Sequence, residues 1–200
     1  MRILQCLAVF CLLQLPASLA AANADGPEGF VQNFTVEALD AAKSGGGDRA
    51  AGQAAFGALI ADGFDLTQIS DFVLGRYWQA ASAAERAAFR SAFRDYLTLT
   101  YAGRVGSTPE ARVSVVGSRQ ASASDWLVSS AVEGVGAQPY AVDWLVRHDG
   151  SRWRVLDLRV DGISMAATYR DQFVAVLRSS GGSIDALTGK LVQKNRLLAD

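Results

Sequence analysis

Residues 140–160 read YAVDWLVRHDGSRWRVLDLRV. Two runs, 140–147 and 153–160, mix β-branched and aromatic residues with polar ones in short alternation. Between them His148-Asp149-Gly150-Ser151 carries the Asp-Gly signal of a tight hairpin. Upstream, 112–116 and 125–132 have the same strand-like pattern, and Gly134-Val135-Gly136 follows them as a turn. Consecutive strands on short links predict an antiparallel sheet of about four strands.

Outward from the sheet the apolar period changes from two to three or four. Over 27–43, Phe30, Val31, Phe34, Ala38 and Leu39 fall on one helical face, and Ser44-Gly45-Gly46-Gly47 breaks it. Asp48 is placed to cap a second helix bearing Phe56, Leu59 and Ile60, which Gly63 ends. Asp65 starts a third, with Gln68 at the reciprocal capping position and Leu66, Ile69, Phe72, Val73 and Tyr77 along its stripe. Gly75 interrupts that stripe, either as a hinge or to allow close packing. Ser82 and Glu85 form a capping box for a long fourth helix carrying Phe89, Phe93, Tyr96, Leu97, Thr100 and Tyr101, with 103–109 as a loop.

After the strands, Met165, Tyr169, Phe173, Val176 and Leu177 form another helical face, stopped by Gly181-Gly182. Ser183 caps a final helix through about Lys194. Helices, then strands, then helices predict an α+β domain with helices packed on one side of a curved antiparallel sheet.

The first residues read as an export signal. Arg2 precedes an apolar run from Ile3 to Leu15, then Pro16 and small residues, which predicts cleavage between Ala20 and Ala24. The run falls short of the roughly 20 residues of a spanning helix. We therefore expect a leader over 1–24 and one domain over 25–200. Both cysteines, Cys6 and Cys11, lie in that leader, so a mature chain has no disulfide and rests on its apolar core. The whole chain holds 19 basic and 20 acidic residues; without Arg2 the balance is 18 against 20, a net charge of −2. No block of like charge offers a face for nucleic acid or anionic lipid.

The residues carry no enzyme signature. Apart from the leader the chain has one histidine, His148, in a turn, and no ligand cluster for zinc. Gly45-Gly46-Gly47 lacks the Lys-Ser/Thr of a phosphate loop. Asp143, Asp157 and Asp161 sit in or just after strands, and Asp157 or Asp143 is the candidate should the fold host proton-transfer chemistry. The competing role for these carboxylates is pairing with Arg154, Arg159 or a backbone amide.

A series of short motifs runs in one order along the chain. Phe64-Asp65-Leu66 precedes Val73-Leu74-Gly75-Arg76-Tyr77-Trp78, then Phe93-Arg94-Asp95-Tyr96-Leu97 and Tyr101. Trp153-Arg154-Val155-Leu156-Asp157-Leu158 then leads into Val160-Asp161-Gly162-Ile163-Ser164-Met165, Tyr169-Arg170 and Phe173. In this order, from about Phe30 to Leu191, the chain resembles the MlaC (toluene-tolerance) family of periplasmic phospholipid-binding proteins. The resemblance implies a cone related in shape to the nuclear-transport-factor and cystatin folds, with an apolar cavity for acyl chains. It implies an inner-membrane ABC transporter complex and an outer-membrane lipoprotein complex as partners, and no cofactor or metal. Hopanoid-associated relatives look similar, so another lipid is the alternative cargo; a non-lipid interaction module whose aromatics are only core is a third reading.

The family offers no short binding motif to carry across. Candidate lipid contacts therefore come from the apolar faces: Phe72, Val73, Tyr77, Phe89, Phe93, Leu97 and Tyr101 on helices, and Val128, Val142, Trp144, Val146 and Val155 on strands. The strand residues depend on register, since a slip of one residue reverses every face. Arg76, Arg94 and Arg170 are candidates to meet a phosphate or a partner, or else surface residues in ion pairs.

Overall fold

A computed structural model describes residues 26–43, 48–108 and 110–199. The expected leader over 1–24 and the glycine break at 44–47 lie outside the described residues.

Five strands form one antiparallel meander in the order β1-β2-β3-β4-β5: β1 (Arg112–Gln120), β2 (Asp125–Glu133), β3 (Tyr140–His148), β4 (Trp153–Val160) and β5 (Ile163–Ser164). The first four are those the sequence predicts. The fifth adds two residues, paired as Arg159 with Ser164 and Val160 with Ile163. It turns back through Asp161, at φ +48°, and Gly162. Along β3, Val142, Trp144 and Val146 are buried and point to one face, with Val128, Ser130 and Val132 of β2 beside them.

Two bulges break the alternation. On β1 the register shifts between Val115 and Gly117, leaving Val116 74 % exposed. The strand therefore continues to Gln120, beyond the 112–116 that alternation alone gives. On β4 the shift at Leu145/Val146 of the partner strand takes Asp157 opposite Leu145 and Val155 opposite Val146. Each bulge adds one unpaired residue and bends the sheet.

Before the sheet come α1 (Pro27–Lys43), α2 (Arg49–Gly63), α3 (Leu66–Leu74), α4 (Arg76–Ala80) and α5 (Ala83–Gly106); after it come α6 (Met165–Ser179) and α7 (Ile184–Ala199). Caps set most of these ends. Asp48 accepts from the Ala50 and Ala51 amides, and the Ser82–Glu85 capping box is complete. Asp65 accepts from the Gln68 amide, while Gln68 Oε1 accepts from Arg147 instead of reaching back to the cap. Arg147 also grips Asp125 through two nitrogens, at 2.6 and 3.0 Å, and holds that carboxyl below the usual carboxylate range.

Two helix ends differ from the sequence reading. The predicted 103–109 loop begins later, because α5 runs through Gly103 to Gly106. Helical glycine costs only about 1 kcal/mol, and the Ser107 and Thr108 hydroxyls bond back to carbonyls of Arg104 and Val105. The last helix continues past Lys194 to Ala199.

Gly75 separates α3 from α4. Its backbone lies at φ +53°, ψ −128°, which side chains other than hydrogen rarely adopt, and an added Cβ would approach Arg170 Nη2 at 3.1 Å. Arg170 Nη1 donates to the Phe72 carbonyl at 2.7 Å at the end of α3. Gly75→Val is therefore expected to destabilise the fold by about 2–3 kcal/mol from backbone strain and lost packing, measured by urea unfolding; Gly75→Ala should cost less.

α1, α2, α3 and α6 pack on the sheet, and α7 packs on α5 and α6. Phe89 and Phe93 of α5 meet Tyr169 and Phe173 of α6 with ring centroids 5.3 to 5.7 Å apart. Trp144 of β3 and Phe34 of α1 meet edge to face at 5.9 Å. The α2–α3 turn docks on β4, where the Asp65 amide donates to the Val155 carbonyl at 3.0 Å.

Candidate functional site

Between the sheet and α1, α2, α5 and α6 lies a cavity of about 440 Å³. Its closed end is aromatic: Phe34 packs edge-on against both Trp144 and Phe64. The Trp144 indole N–H donates to Ser130 Oγ at 3.0 Å, whose hydroxyl donates to the Val142 carbonyl at 2.9 Å. The polar edge of the indole is thus satisfied inside the wall, and its hydrocarbon face is left to the cavity. Gly63 makes room for this arrangement. A Cβ there would come within 2.3 Å of the Phe34 ring.

One wall is a single face of α5. Phe93, Leu97, Tyr101 and Arg104 follow each other at three- and four-residue steps, Val105 lies four residues after Tyr101, and all line the cavity. Opposite, Val132, Val142, Trp144, Leu158 and Val160 come from the sheet. α1 and α2 add Phe34, Ala38, Phe56 and Ile60, and α6 adds Met165, Ala166 and Tyr169. The lining grades from buried residues such as Phe93 and Trp144 to half-buried Leu39, Thr108, Val135 and Tyr140 and exposed Arg104, so the cavity opens to solvent on that side. The Tyr101 and Tyr169 hydroxyls meet at 2.8 Å. Burial, then this bond, pushes the Tyr169 phenol far above its ordinary value, so it stays protonated.

Of the twelve candidate contacts taken from apolar faces, Phe93, Leu97, Tyr101, Val142 and Trp144 line this cavity. Val73, Phe89, Val128, Val146 and Val155 are fully buried elsewhere in the core. Tyr77 packs against that core from α4, under the Arg76 guanidinium. Phe72 is 46 % exposed and covered by the Arg170 guanidinium, 5.1 Å from its ring. The cavity also takes residues that the face-by-face reading left as core, among them Phe34, Phe56, Ile60, Met165 and Tyr169. Their helical stripes were visible, but nothing local marks a stripe that faces a void.

The charged candidates are engaged in the scaffold. Asp157 accepts from Ser164 Oγ at 2.6 Å and from the Ala166 amide at 2.9 Å, tying β4 to the start of α6. Asp143 accepts from Ser129 Oγ at 2.6 Å, and Asp161 accepts from the Ala141 amide at 3.1 Å. His148 sits exposed at the end of β3, where Nδ1 accepts from the Gly150 amide and the ring lies 5.0 Å from Trp153. Arg94 pairs with Asp95, and Arg76 donates to the Tyr77 hydroxyl. Among the described residues no three His, Cys or carboxylate side chains gather to hold a metal ion, and no helix is long and apolar enough to cross a membrane.

The same architecture is found in a solved structure, the phospholipid-binding protein from Ralstonia solanacearum in complex with a phospholipid. The two share 25 % sequence identity with a TM-score of 0.76, over 86 % of this chain and 98 % of that one. Residues 31–193 match the family described as MlaC protein. That match begins inside α1, ends inside α7 and takes in every element between them, and the chain belongs to the MlaC family.

Proposed function

We propose that this chain is a periplasmic carrier that holds the acyl chains of a phospholipid in its cavity and shuttles the lipid between inner and outer membranes. The observation that carries this reading is the apolar cavity of about 440 Å³ between sheet and helices, within the usual range of ligand pockets. The phospholipid in the R. solanacearum relative supports the class of cargo. The carrier is the soluble component of an ABC transport system. It loads and unloads at an inner-membrane transporter complex and an outer-membrane lipoprotein complex. Its leader, 1–24, is removed on export, and 25–200 form the single lipid-binding domain.

The physics of the cargo explains the design. Each methylene kept from water is worth about 0.8 kcal/mol, so a 16-carbon chain resists exit into water by roughly 12 kcal/mol and two chains by roughly twice that. A cavity that replaces water with hydrocarbon lets the lipid change membranes without that penalty. Such work uses binding alone and no catalytic group, which fits carboxylates that serve as structural ties.

Native mass spectrometry of the mature protein isolated from the periplasm tests the proposal. A bound diacyl phospholipid is the expected result, together with protein-dependent transfer of labelled phospholipid between vesicles. A bound polycyclic lipid would move the cargo to the hopanoid class, and protein with no lipid and no transfer would overturn the carrier reading.

A further inference from the structure

Among the described residues one carboxyl and one guanidinium side chain line the cavity, Asp157 and Arg104. They stand in opposite situations. Asp157 is compensated by the Ser164 hydroxyl, the Ala166 amide and the adjacent N-terminal end of α6. Arg104 lies on the open side, in the last turn of α5, with its guanidinium 5.7 Å from the centre of the Tyr101 ring. Among the described residues no carboxylate lies within ion-pair distance of it. Among the described residues the cavity lining therefore carries one positive charge with no carboxylate partner, placed where the hydrocarbon wall gives way to solvent.

A second donor sits next to it. When two hydroxyls share one hydrogen bond, one donates and the other keeps its proton for a further acceptor. The Tyr101–Tyr169 pair therefore retains an O–H to give. The Arg104 guanidinium lies over the ring of Tyr101, whose hydroxyl belongs to that pair, so guanidinium and hydroxyl pair share one neighbourhood. A fork of guanidinium N–H groups beside a phenolic O–H, at the rim of an acyl-chain cavity, suits a tetrahedral oxyanion at the top of a lipid.

We propose that Arg104, with the Tyr101–Tyr169 hydroxyl pair beside it, receives the phosphodiester of the bound lipid and makes the cavity select phospholipids over neutral lipids with the same chains. This inference rests on the phospholipid-carrier reading and adds to it a selecting residue. The three arginines that the sequence offers for a phosphate are committed elsewhere: Arg94 to Asp95, Arg76 to Tyr77 and Arg170 to the end of α3. Arg104 alone of the four lines the cavity.

The test compares dipalmitoyl phosphatidylglycerol with dipalmitoyl glycerol, identical in chains and different in the phosphodiester-linked head group. Delipidated mature protein is loaded from mixed micelles and read by native mass spectrometry. The wild type is expected to favour the phospholipid by at least about tenfold, the size of one charged hydrogen-bonded contact. Arg104→Gln should abolish most of that preference, cutting phospholipid loading several-fold more than diacylglycerol loading. Arg104→Lys keeps a positive charge at the helix end but loses the fork, and should restore part of the preference. A merely structural Arg104 would give equal losses for both lipids, or none for either, and overturn the inference. Absence of preference in the wild type would also overturn it while leaving the carrier standing. If neither lipid loads into the wild type, the carrier reading itself fails.

Discussion

Leu97→Asp is expected to give a folded protein that purifies without lipid. Leu97 lies midway along the α5 wall, 8 % exposed, between Phe93 and Tyr101. A carboxylate here faces the void, so water entering the cavity can hydrate it once lipid is gone. The folded state then loses the packing of one leucine, about 2–5 kcal/mol, and escapes the full penalty of a buried charge. The lipid has no such escape. Acyl chains laid against the new carboxylate would strip its water with no donor in return, a cost of several kcal/mol. That corresponds to at least a hundredfold loss of affinity at about 1.4 kcal/mol per decade. Native mass spectrometry should show less than a tenth of wild-type occupancy, with far-UV circular dichroism unchanged. Leu97→Met, similar in volume, should retain lipid. Full occupancy in folded Leu97→Asp would mean that the acyl chains do not run along this face of α5.

The sheet was legible because its signals are local. The Asp-Gly turn after His148 and the alternation of Val142, Trp144 and Val146 need no distant contact to be read. Helix starts at Asp48, Asp65 and Ser82 were equally plain, since each cap is bonded to an amide two or three residues away. The bulges were not. Val116 and the residues around Leu156 look like ordinary strand, and only pairing with β2 and β3 shows where an extra residue is accommodated.

The cavity was the harder part, for a different reason. Periodicity tells which side of a helix is apolar, and that side of α5 includes Phe89, Phe93, Leu97 and Tyr101 alike. It does not tell how far along the helix the opposite wall stands off. Phe89 is sealed by Phe93 and Phe173, whereas Leu97 and Tyr101 look into open volume. Across the sheet the same division holds. The docked α2–α3 turn fills the end that holds Val155 and leaves the end with Val132, Val142 and Val160 open. That docking joins Asp65 to Val155, and no local pattern in the sequence announces it.

The division makes a second expected result the sharpest control on the first. Val146→Asp is expected to prevent folding. Val146 shares the inward face of β3 with Trp144 and Val142, so by alternation it is their equal as a cavity residue. In the structure it is completely buried, paired across the sheet with Trp126 and Val155, and it does not line the cavity. A carboxylate here meets valine and tryptophan side chains and no path to water. Leaving a buried charge without a partner costs about 3–5 kcal/mol, and the lost valine packing adds to it. Against the 5–15 kcal/mol that separates a domain of this kind from its unfolded state, that removes much or all of the stability. Circular dichroism and urea unfolding should find Val146→Asp insoluble or largely unfolded under conditions where Leu97→Asp keeps its fold. The same chemical change, at two positions on apolar faces of the same core, thus separates wall from packing. A folded, lipid-free Val146→Asp would show that the cavity reaches this end of the sheet and that the α2–α3 turn moves away from β4 when lipid enters.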